Sequence, residues 1–393
     1  MSIHSSFNQN ISFKHLFTNP FKSYKTLEFK NKNLLQEIFN LQDSFHINWY
    51  LNARSAFYDV LISLKKENPN KNEVIIPAHT CVVLINPILK AGLKPVFVDT
   101  QLKSFNYEVE KLELKLNEKV LAVMIPCNFT ESFDQELVDK IKNQYNLILD
   151  LANTISNFSF TDFHSVLISF GSNKVLDSIA GGALISHDSI KYSKEIKRLL
   201  GKHFQMYYLK TLIFILTRKI LNFKITKIIF KFLSFVFFPK IVNKDEKNLK
   251  FQKVSYFKAN TSLLSVINVT LKKFTDLKPH NSEIHTYLKS SISPKFQIKN
   301  SKNATSCFFP IFINNPKKLF KDLKNKNQIL SLDWSFSQIA PSSSNISSEI
   351  FNSDDFPNSK FNSDHLLLVP INNSVKIKSL EPIISLINKS NHV

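Results

Sequence analysis

The stretch that decides the fold is residues 73–100, EVIIPAHTCVVLINPILKAGLKPVFVDT. A short apolar run ends at Pro77, a longer apolar stretch has helical length, and Gly92 stands where a helix would end in the left-handed conformation. A second apolar run, KPVFV, ends just before Asp99. Two buried strands separated by a helix are typical of a βαβ unit, so this stretch predicts a parallel sheet.

The same alternation continues along the chain. LAVMIP, LILDLA and VLISF are apolar runs of strand length, and SFDQELVDKIKNQY has the composition of a crossover helix. These segments predict an α/β fold with a mostly parallel sheet covered by helices on both faces. Ligands of such sheets bind beyond the carboxyl ends of the strands, where Asp99, Pro126, Asp150 and Ser169 stand.

Changes in composition and in apolar patterning along the 393 residues predict the domain organisation. Residues 1–45 are polar and are interpreted as an N-terminal arm, and residues 46–254 contain the predicted sheet as a large domain. Beyond them, ANTSLLSVINVTLKKF and LEPIISLIN have helical patterns, while TSCFFPIFI and HLLLVPI have strand patterns. We therefore expect residues 255–393 to form a smaller α+β C-terminal domain.

Composition excludes several function classes. The net charge of +20 comes mostly from scattered lysines in a chain rich in Asn, Ile and Phe, without an arginine-rich arm or zinc-ligand spacing, so neither nucleic-acid binding nor a metal site is predicted. Cys81, Cys127 and Cys307 are odd in number and far apart, which argues against disulfides and favours a reducing cytoplasm. We expect no signal peptide and no ordinary membrane-spanning helix.

Residues 169–186, SFGSNKVLDSIAGGALIS, hold three of the chain's five glycines around Lys174. Ser169 and backbone N–H groups in such a turn can hold a phosphate, and a partly desolvated lysine is a good amine nucleophile. Asp150, at the end of an apolar strand, needs a cationic partner such as a protonated pyridine nitrogen. These are the parts that hold pyridoxal phosphate as a Schiff base. A solvated lysine and a helix-capping aspartate remain the alternative.

The order of motifs resembles one protein family. ARSAFYDVLISL, the PAHTC block of residues 73–100, LILDLAN, SFGSNKVLDSIAGGALISHD, KANTSLLSVINVTLKKF and DFPNSKFNSDHLLLVPINNSV are similar, in sequence order, to blocks of the DegT/DnrJ/EryC1/StrS sugar aminotransferases. That family is PLP-dependent, of fold type I, in the aspartate aminotransferase superfamily, and the PAHTC block resembles its PAyTC branch. The resemblance implies a large domain with a mostly parallel mixed sheet flanked by helices, plus a smaller α+β C-terminal domain.

The resemblance also implies roles for individual residues. Lys174 would hold the cofactor and move protons as acid and base, and Asp150 would pair with the pyridinium nitrogen. Asn153 stands where the family usually has Gln. Asn260 would reach the phosphate from the other subunit, which implies a homodimer with shared active sites. The implied cofactor-binding set is Arg54, Ser55, Cys81, Asp150, Asn153, Ser169, Lys174 and Asn260.

Some neighbouring residues keep two interpretations. His79 is either a structural histidine or a group near the cofactor, and Ser172 either contacts the phosphate or does not. Cys81 would replace the aromatic ring that many family members place over the cofactor, or it is a small buried hydrophobe. Cys127 and Cys307 are interpreted as core residues.

The implied activity is transfer of an amino group, from glutamate, to a keto-sugar nucleotide for surface polysaccharide synthesis. Two alternatives remain. One is a non-catalytic, membrane-associated scaffold that retains the fold, suggested by Ala53, Cys81 and Asn153, which depart from the family pattern. The other is a PLP-dependent sugar dehydratase, whose family members carry His in place of the lysine that stands at position 174.

Residues 202–243 form a separate problem. They carry eight Lys or Arg and no Asp or Glu, among apolar runs such as LIFIL and FLSFVFF. This composition suits helices with a solvated lysine face, and it equally suits an interfacial element that contacts anionic lipid. Peripheral contact with the inner face of the cytoplasmic membrane is therefore an expectation of the sequence.

Overall fold

The computed structural model describes residues 23–42, 44–155, 159–171, 174–178, 180–187, 192–198, 256–298, 305–325, 334–340, 346–371 and 375–390. The segment 202–243 and Ser172 lie outside the described residues, so the predictions made for them stay predictions.

The strands form one large sheet and three short pairs in the described part of the chain. They are β1 (His46–Tyr50), β2 (Glu73–Pro77), β3 (Thr80–Cys81), β4 (Lys94–Val98), β5 (Val120–Pro126), β6 (Asn146–Leu151), β7 (Thr154–Ile155), β8 (Ser165–Ser169), β9 (Gly182–Ser186), β10 (Lys197–Arg198), β11 (Phe257–Lys258), β12 (Thr305–Ser306), β13 (Phe308–Phe312), β14 (Ile339–Ala340) and β15 (Leu366–Pro370).

The large sheet has the order β10-β11-β1-β9-β8-β6-β5-β2-β4. Strands β4, β2, β5, β6 and β8 are parallel to their neighbours in that run, whereas β9 is antiparallel to both β8 and β1. The mostly parallel mixed sheet predicted from the sequence is confirmed.

Helices cover this sheet and build the C-terminal part. They are α1 (Tyr24–Phe39), α2 (Ala53–Glu67), α3 (Val82–Lys90), α4 (Val109–Glu113), α5 (Gln135–Ile141), α6 (Thr261–Ser291), α7 (Pro316–Asn325), α8 (Pro357–His365) and α9 (Ile377–Asn388).

Alternation along the strands buries both faces of the sheet. In β6, Leu147, Leu149 and Leu151 enter one hydrophobic core, while Ile148 enters a second core on the opposite face, which also contains the apolar side of α2. Asp150 lies two residues after Ile148, so it shares the α2 face. Burial on both faces explains why the strands are continuous apolar runs.

The chain from β12 onward is built differently. Strands β13 and β15 form an antiparallel pair, and their apolar side chains share a core with α7, α9 and the C-terminal half of α6. The N-terminal half of α6 belongs to the core of the large sheet, so this 31-residue helix connects the two cores. The predicted smaller α+β unit is confirmed in kind, while its boundary at residue 255 stays a prediction.

One element was not anticipated. Within the predicted N-terminal arm, α1 is a regular helix that begins at the N-cap Ser23 and buries Leu27, Leu35 and Phe39. Two buried asparagines, Asn31 and Asn268, join it to α6 through a 2.8 Å hydrogen bond. Among the described residues, no helix combines the length and apolar character needed to cross a bilayer.

Candidate functional site

The candidate site lies at the edge of the large sheet where β2, β5, β6 and β8 end. Because these strands are parallel, the residues at and just beyond their carboxyl ends meet at one edge. Asp150 and Ser169 also point to the same face, since each follows a residue of the α2-side core by two positions. The helix α2 packs on this face against β8 and β9.

Lys174 turns back from the loop after β8 toward the end of β6. Its Nζ donates a 2.6 Å hydrogen bond to Oδ1 of Asn153. Asn153 is 5% exposed, and Lys174 keeps partial access to solvent. The structure thus brings together two residues that the sequence placed in one site from 21 positions apart.

Asp150 lies beside them and is incompletely partnered. Burial raises the pKa of its carboxyl, against smaller lowering effects of the Ala152 N–H and the charge of Lys174. Oδ1 accepts a 2.9 Å hydrogen bond from that N–H. Among the described residues, no cation forms an ion pair with Asp150. A carboxylate in this setting favours a positively charged or donating ligand.

The start of α2 has a divided role. Asn52 caps the helix by accepting a 2.9 Å hydrogen bond from the Ser55 N–H. The Ser55 hydroxyl is also engaged, since it donates to Asn52 Oδ1 at 3.0 Å and accepts from the Phe257 N–H at 3.2 Å. Ser55 is fully buried, whereas Arg54 is half-buried. The hydroxyl of Ser55 thus serves the fold, and Arg54 presents the accessible side chain.

Gly181 and Gly182 fasten this helix start to the lysine loop. Gly181 has φ +134°, and its N–H donates to the Leu51 carbonyl at 2.7 Å. A Cβ on Gly182 would come within 2.3 Å of the Asn52 carbonyl carbon. Both positions therefore need glycine, and the two backbones that flank the site are held in register by that contact.

Gly171 differs from them. It lies in the loop between Ser169 and Lys174 with no left-handed φ, and its N–H donates to Ser169 Oγ at 3.3 Å. A Cβ there would make only ordinary contacts, 3.5 Å from Ser169 Oγ and 3.8 Å from Lys174 Cγ. The described neighbours therefore do not require glycine at this position.

The two cysteines near the site have different origins. Burial raises the pKa of the Cys81 thiol, against the lowering effects of the Val83 N–H and the charges of Lys174 and Arg54. Cys81 therefore shares one electrostatic environment with the predicted site residues, and it remains partly exposed.

Cys307 comes from the C-terminal unit, between β12 and β13. It is buried, as predicted, and burial raises the pKa of its thiol to about 12 although the charge of Lys174 acts on it. The sequence missed that the charge of Lys174 acts on Cys307, because only the packing of the C-terminal unit brings the two residues into one region.

His79 and Asn260 show mainly structural contacts. His79 is fully buried, its Nε2 lies 3.0 Å from the Trp334 carbonyl, and burial lowers its pKa to about 4. Asn260 caps α6 by accepting a 2.9 Å hydrogen bond from the Leu263 N–H. The predicted contact of Asn260 with a partner subunit's cofactor stays a prediction. No group of three or more His, Cys, Asp or Glu among the described residues is arranged to hold a metal ion.

One site residue escaped the sequence analysis. Asn128 follows β5 at the same edge, is 6% exposed, and accepts a 2.8 Å hydrogen bond from Nδ2 of Asn153. The rule that ligands meet the carboxyl ends of parallel strands would have found it, since Asn128 stands two residues beyond Pro126.

Comparison with known proteins gives one family match. The model of the DegT/DnrJ/EryC1/StrS aminotransferase family matches residues 52–207. Over that stretch the chain is similar to this family. The match includes the start of α2, Asp150, Asn153 and Lys174, so the predicted resemblance is confirmed.

The relatives are sugar-modifying enzymes. A GDP-perosamine synthase of Vibrio cholerae is 30% identical over 132 residues, which are 31% of this chain and 35% of that protein. This chain thus matches only about a third of the length of that curated relative.

Solved structures of similar fold cover more of the chain. A sugar aminotransferase of Micromonospora echinospora superposes with a TM-score of 0.64 at 12% identity, covering 94% of this chain and 92% of that one. A GDP-4-keto-6-deoxymannose-3-dehydratase with a trapped PLP-glutamate adduct superposes with a TM-score of 0.64 at 15% identity, covering 92% of both chains. At these identities the likeness establishes the fold, which is the predicted fold type I.

Proposed function

We propose that this protein is a PLP-dependent aminotransferase that moves an amino group, from glutamate, to a keto-sugar nucleotide. The observation that carries the proposal is the juxtaposition of Lys174, Asp150 and Asn153 at the carboxyl edge of the sheet. Similarity to the family over residues 52–207 supports the same chemistry.

The residues present fit pyridoxal phosphate in four respects. Asp150 lacks an ion-pair partner among the described residues and would accept a proton-bearing ring nitrogen. Ser169 Oγ and the Gly171 N–H lie together in the loop before Lys174, where they would face a phosphate. Arg54 at the start of α2 supplies a positive charge for a phosphate. Lys174 supplies the amine.

The chain's own residues would then divide the work. Pyridoxal phosphate, when bound, supplies a ring that withdraws electrons from the carbon bearing the transferred amino group. Lys174 would attach the cofactor through Nζ and later move a proton at that atom. Asp150 would keep the ring nitrogen protonated, since a buried carboxylate is stabilised by a positive partner. Ser169 and Arg54 would hold the phosphate, and Cys81 would line the ring.

The acceptor and the reaction type are proposed from the relatives. The Vibrio cholerae relative is named for a GDP-sugar, which supports a nucleotide-linked keto-sugar as acceptor. A dehydratase is among the structural neighbours. Lys174 supports amino transfer over dehydration. An amine at this position can hold the cofactor and move a proton, whereas the dehydratases that the sequence resembles carry His there.

Two finer parts of the proposal concern partners. We propose a homodimer in which Asn260 of one subunit reaches the site of the other, and peripheral membrane contact through residues 202–243. Size-exclusion chromatography with light scattering tests the first. Flotation with liposomes, with and without anionic lipid, tests the second, and equal recovery in the soluble fraction would contradict it.

The decisive experiment is the absorption spectrum of the purified protein after incubation with PLP and then with glutamate. We expect a visible band that shifts on adding glutamate as the amino group is transferred. Lys174→Ala should abolish the band. Lys94→Ala, at the exposed amino end of β4, is the matched control and should keep it. A wild-type protein without the band would favour a scaffold that retains only the fold.

A further inference from the structure

A chain of two amides leads from the candidate lysine into the protein. Lys174 Nζ donates to Asn153 Oδ1 at 2.6 Å, and Asn153 Nδ2 donates to Asn128 Oδ1 at 2.8 Å. Both asparagines are buried, at 5% and 6% exposure, so water does not easily replace either bond.

The direction of this chain is forced by its donors and acceptors. An ammonium group has only donors, so Asn153 must turn its carbonyl oxygen to Lys174. Its NH₂ group then faces Asn128, which must present an acceptor. A carboxamide turns over easily unless both ends are held. Asn128 is the group that fixes which end of Asn153 faces the lysine.

The backbone on both sides holds this arrangement in place. Phe129, next to Asn128, has φ +56°, which is unfavourable for a bulky residue and persists only where the surroundings enforce it. The Phe129 carbonyl accepts a hydrogen bond from the Thr154 hydroxyl, and the Asn153 carbonyl accepts one from Ser306 Oγ at 3.2 Å. The strained turn therefore ties Asn128 to the segment between β6 and β7 that carries Asn153.

From this geometry we infer that Asn128 is a positioning residue, which orients the Asn153 carboxamide so that an accepting oxygen faces Lys174. Asn128 acts through Asn153 and does not itself touch the lysine. The inference deepens the proposed function, on which its cofactor readout rests. Asn153 stands where the family usually has the longer Gln. In this chain its carboxamide is held by Asn128, which follows the neighbouring strand β5.

The test compares three variants in the full-length protein. Asn128→Leu keeps the volume and removes the acceptor, whereas Asn128→Asp keeps an acceptor oxygen. Asn31→Leu is the matched control, because it breaks a buried amide–amide bond of the same 2.8 Å length between α1 and α6.

We expect Asn128→Leu to weaken PLP binding about tenfold, since one buried hydrogen bond is lost, and to shift the absorption maximum of the bound cofactor. Asn128→Asp should bind PLP within about threefold of the wild type. Asn31→Leu should lower the melting temperature but leave PLP affinity and spectrum unchanged. Equal PLP affinity of Asn128→Leu and wild type would overturn the inference.

A second readout does not depend on the cofactor. Reductive methylation with formaldehyde and borohydride, followed by mass spectrometry of the Lys174 peptide, measures how accessible and reactive that amine is. We expect Asn128→Leu to label Lys174 at least about threefold faster, because the Lys174 amine loses the oriented Asn153 oxygen that holds it at 2.6 Å. If the wild type takes up no PLP, the proposed function fails, and this rate alone then decides whether Asn128 positions the lysine. An unchanged rate would overturn that role.

Discussion

Asp99 and Asp150 each stand where an apolar strand ends at the same edge of the sheet, yet their carboxylates have opposite surroundings. Asp99 follows β4, is 1% exposed, and joins the sheet to the start of α8. Its carboxylate accepts hydrogen bonds from the Thr100 N–H, Lys111 Nζ, the Asn358 N–H, the Ser359 N–H and Ser359 Oγ.

These partners decide the sign of each pKa shift. Burial alone would raise the pKa of Asp99, but the hydrogen bonds from Lys111 and Ser359 outweigh it, and the pKa lies below its usual value. Asp150 has one backbone donor, and burial raises its pKa. A carboxylate whose oxygens accept hydrogen bonds from several protein donors serves to connect elements of the fold. A carboxylate with few protein donors marks a place where a ligand can supply the missing donor or charge.

The largest effect should come from Asp150→Asn. We expect the rate of the half-reaction with glutamate, followed by absorbance, to fall about 10³-fold, or about 4 kcal/mol. The free energy of unfolding in urea should stay within about 1 kcal/mol of the wild type or rise, because the variant no longer buries a charge. If Asp150→Asn were strongly destabilised, Asp150 would have a structural role like that of Asp99, and the contrast between the two residues would be wrong.

Asp99→Asn should show the reverse. We expect a loss of about 3 kcal/mol in the free energy of unfolding at neutral pH, because a buried, hydrogen-bonded ion pair is broken. Since the folded-state pKa is lowered, Asp99 stabilises the protein above its unfolded pKa near 3.9, and that contribution disappears on acidification. Urea titrations should therefore show a large difference in the free energy of unfolding between wild type and Asp99→Asn at neutral pH, and a small one at acidic pH.

The control for Asp99 is Lys111→Met. Its side chain is 44% exposed, so its removal should cost less than about 1 kcal/mol. If Lys111→Met lost as much unfolding free energy as Asp99→Asn, the stabilisation by Asp99 would come from its ion pair with Lys111 and not from its hydrogen bonds to the start of α8.

Glu131 is a further buried acid, 1% exposed, and sharpens the comparison. Burial raises its pKa to about 7, although the Ser104 hydroxyl and the Phe105 N–H donate to it. A raised pKa means that the folded protein binds a proton more tightly than the unfolded chain. Stability should therefore fall by about 2 kcal/mol from about pH 5.5 to pH 7 through this residue.

Glu131→Gln should remove that part of the pH dependence, as measured by urea unfolding across this range. Identical pH profiles of variant and wild type would contradict the assignment. Because Glu131 and Asn128 share one turn, linked by a 3.1 Å backbone hydrogen bond, the variant should leave PLP affinity unchanged only if that turn keeps its shape.

The smallest effect concerns two glycines that form a similar contrast, since Gly171 lies at the proposed ligand site and Gly182 has a structural role. Gly171→Ala should fold normally but weaken PLP binding about tenfold in a fluorescence titration, because its methyl group would lie beside the proposed phosphate site. Gly182→Ala should instead lower the melting temperature, since its Cβ would meet Asn52 at 2.3 Å. Normal PLP affinity of Gly171→Ala would mean that the phosphate does not lie beside this position.

Most of the sheet could be predicted from the sequence. Each parallel strand is buried on both faces and is therefore an apolar run, which is visible without any knowledge of its neighbours. The helix α1 was missed because its buried stripe is narrow and includes Asn31, whose partner Asn268 lies 237 positions away. Asp150 and Lys174 of the candidate site were predicted from their positions at or after strand ends, and their role as site residues stays a prediction.

The sequence by itself determined the order of strands and helices and the family resemblance, and it predicted the carboxyl edge as the place of the candidate site, because these depend on local apolar patterns and short motifs. Only the tertiary structure decided that Asp99 is saturated and Asp150 is not, that Ser55 serves the helix cap, and that Asn128 and Cys307 reach the lysine's surroundings. The physical reason is that the charge state and freedom of a polar group depend on its donors and acceptors. These come from segments distant in the chain that only packing brings together.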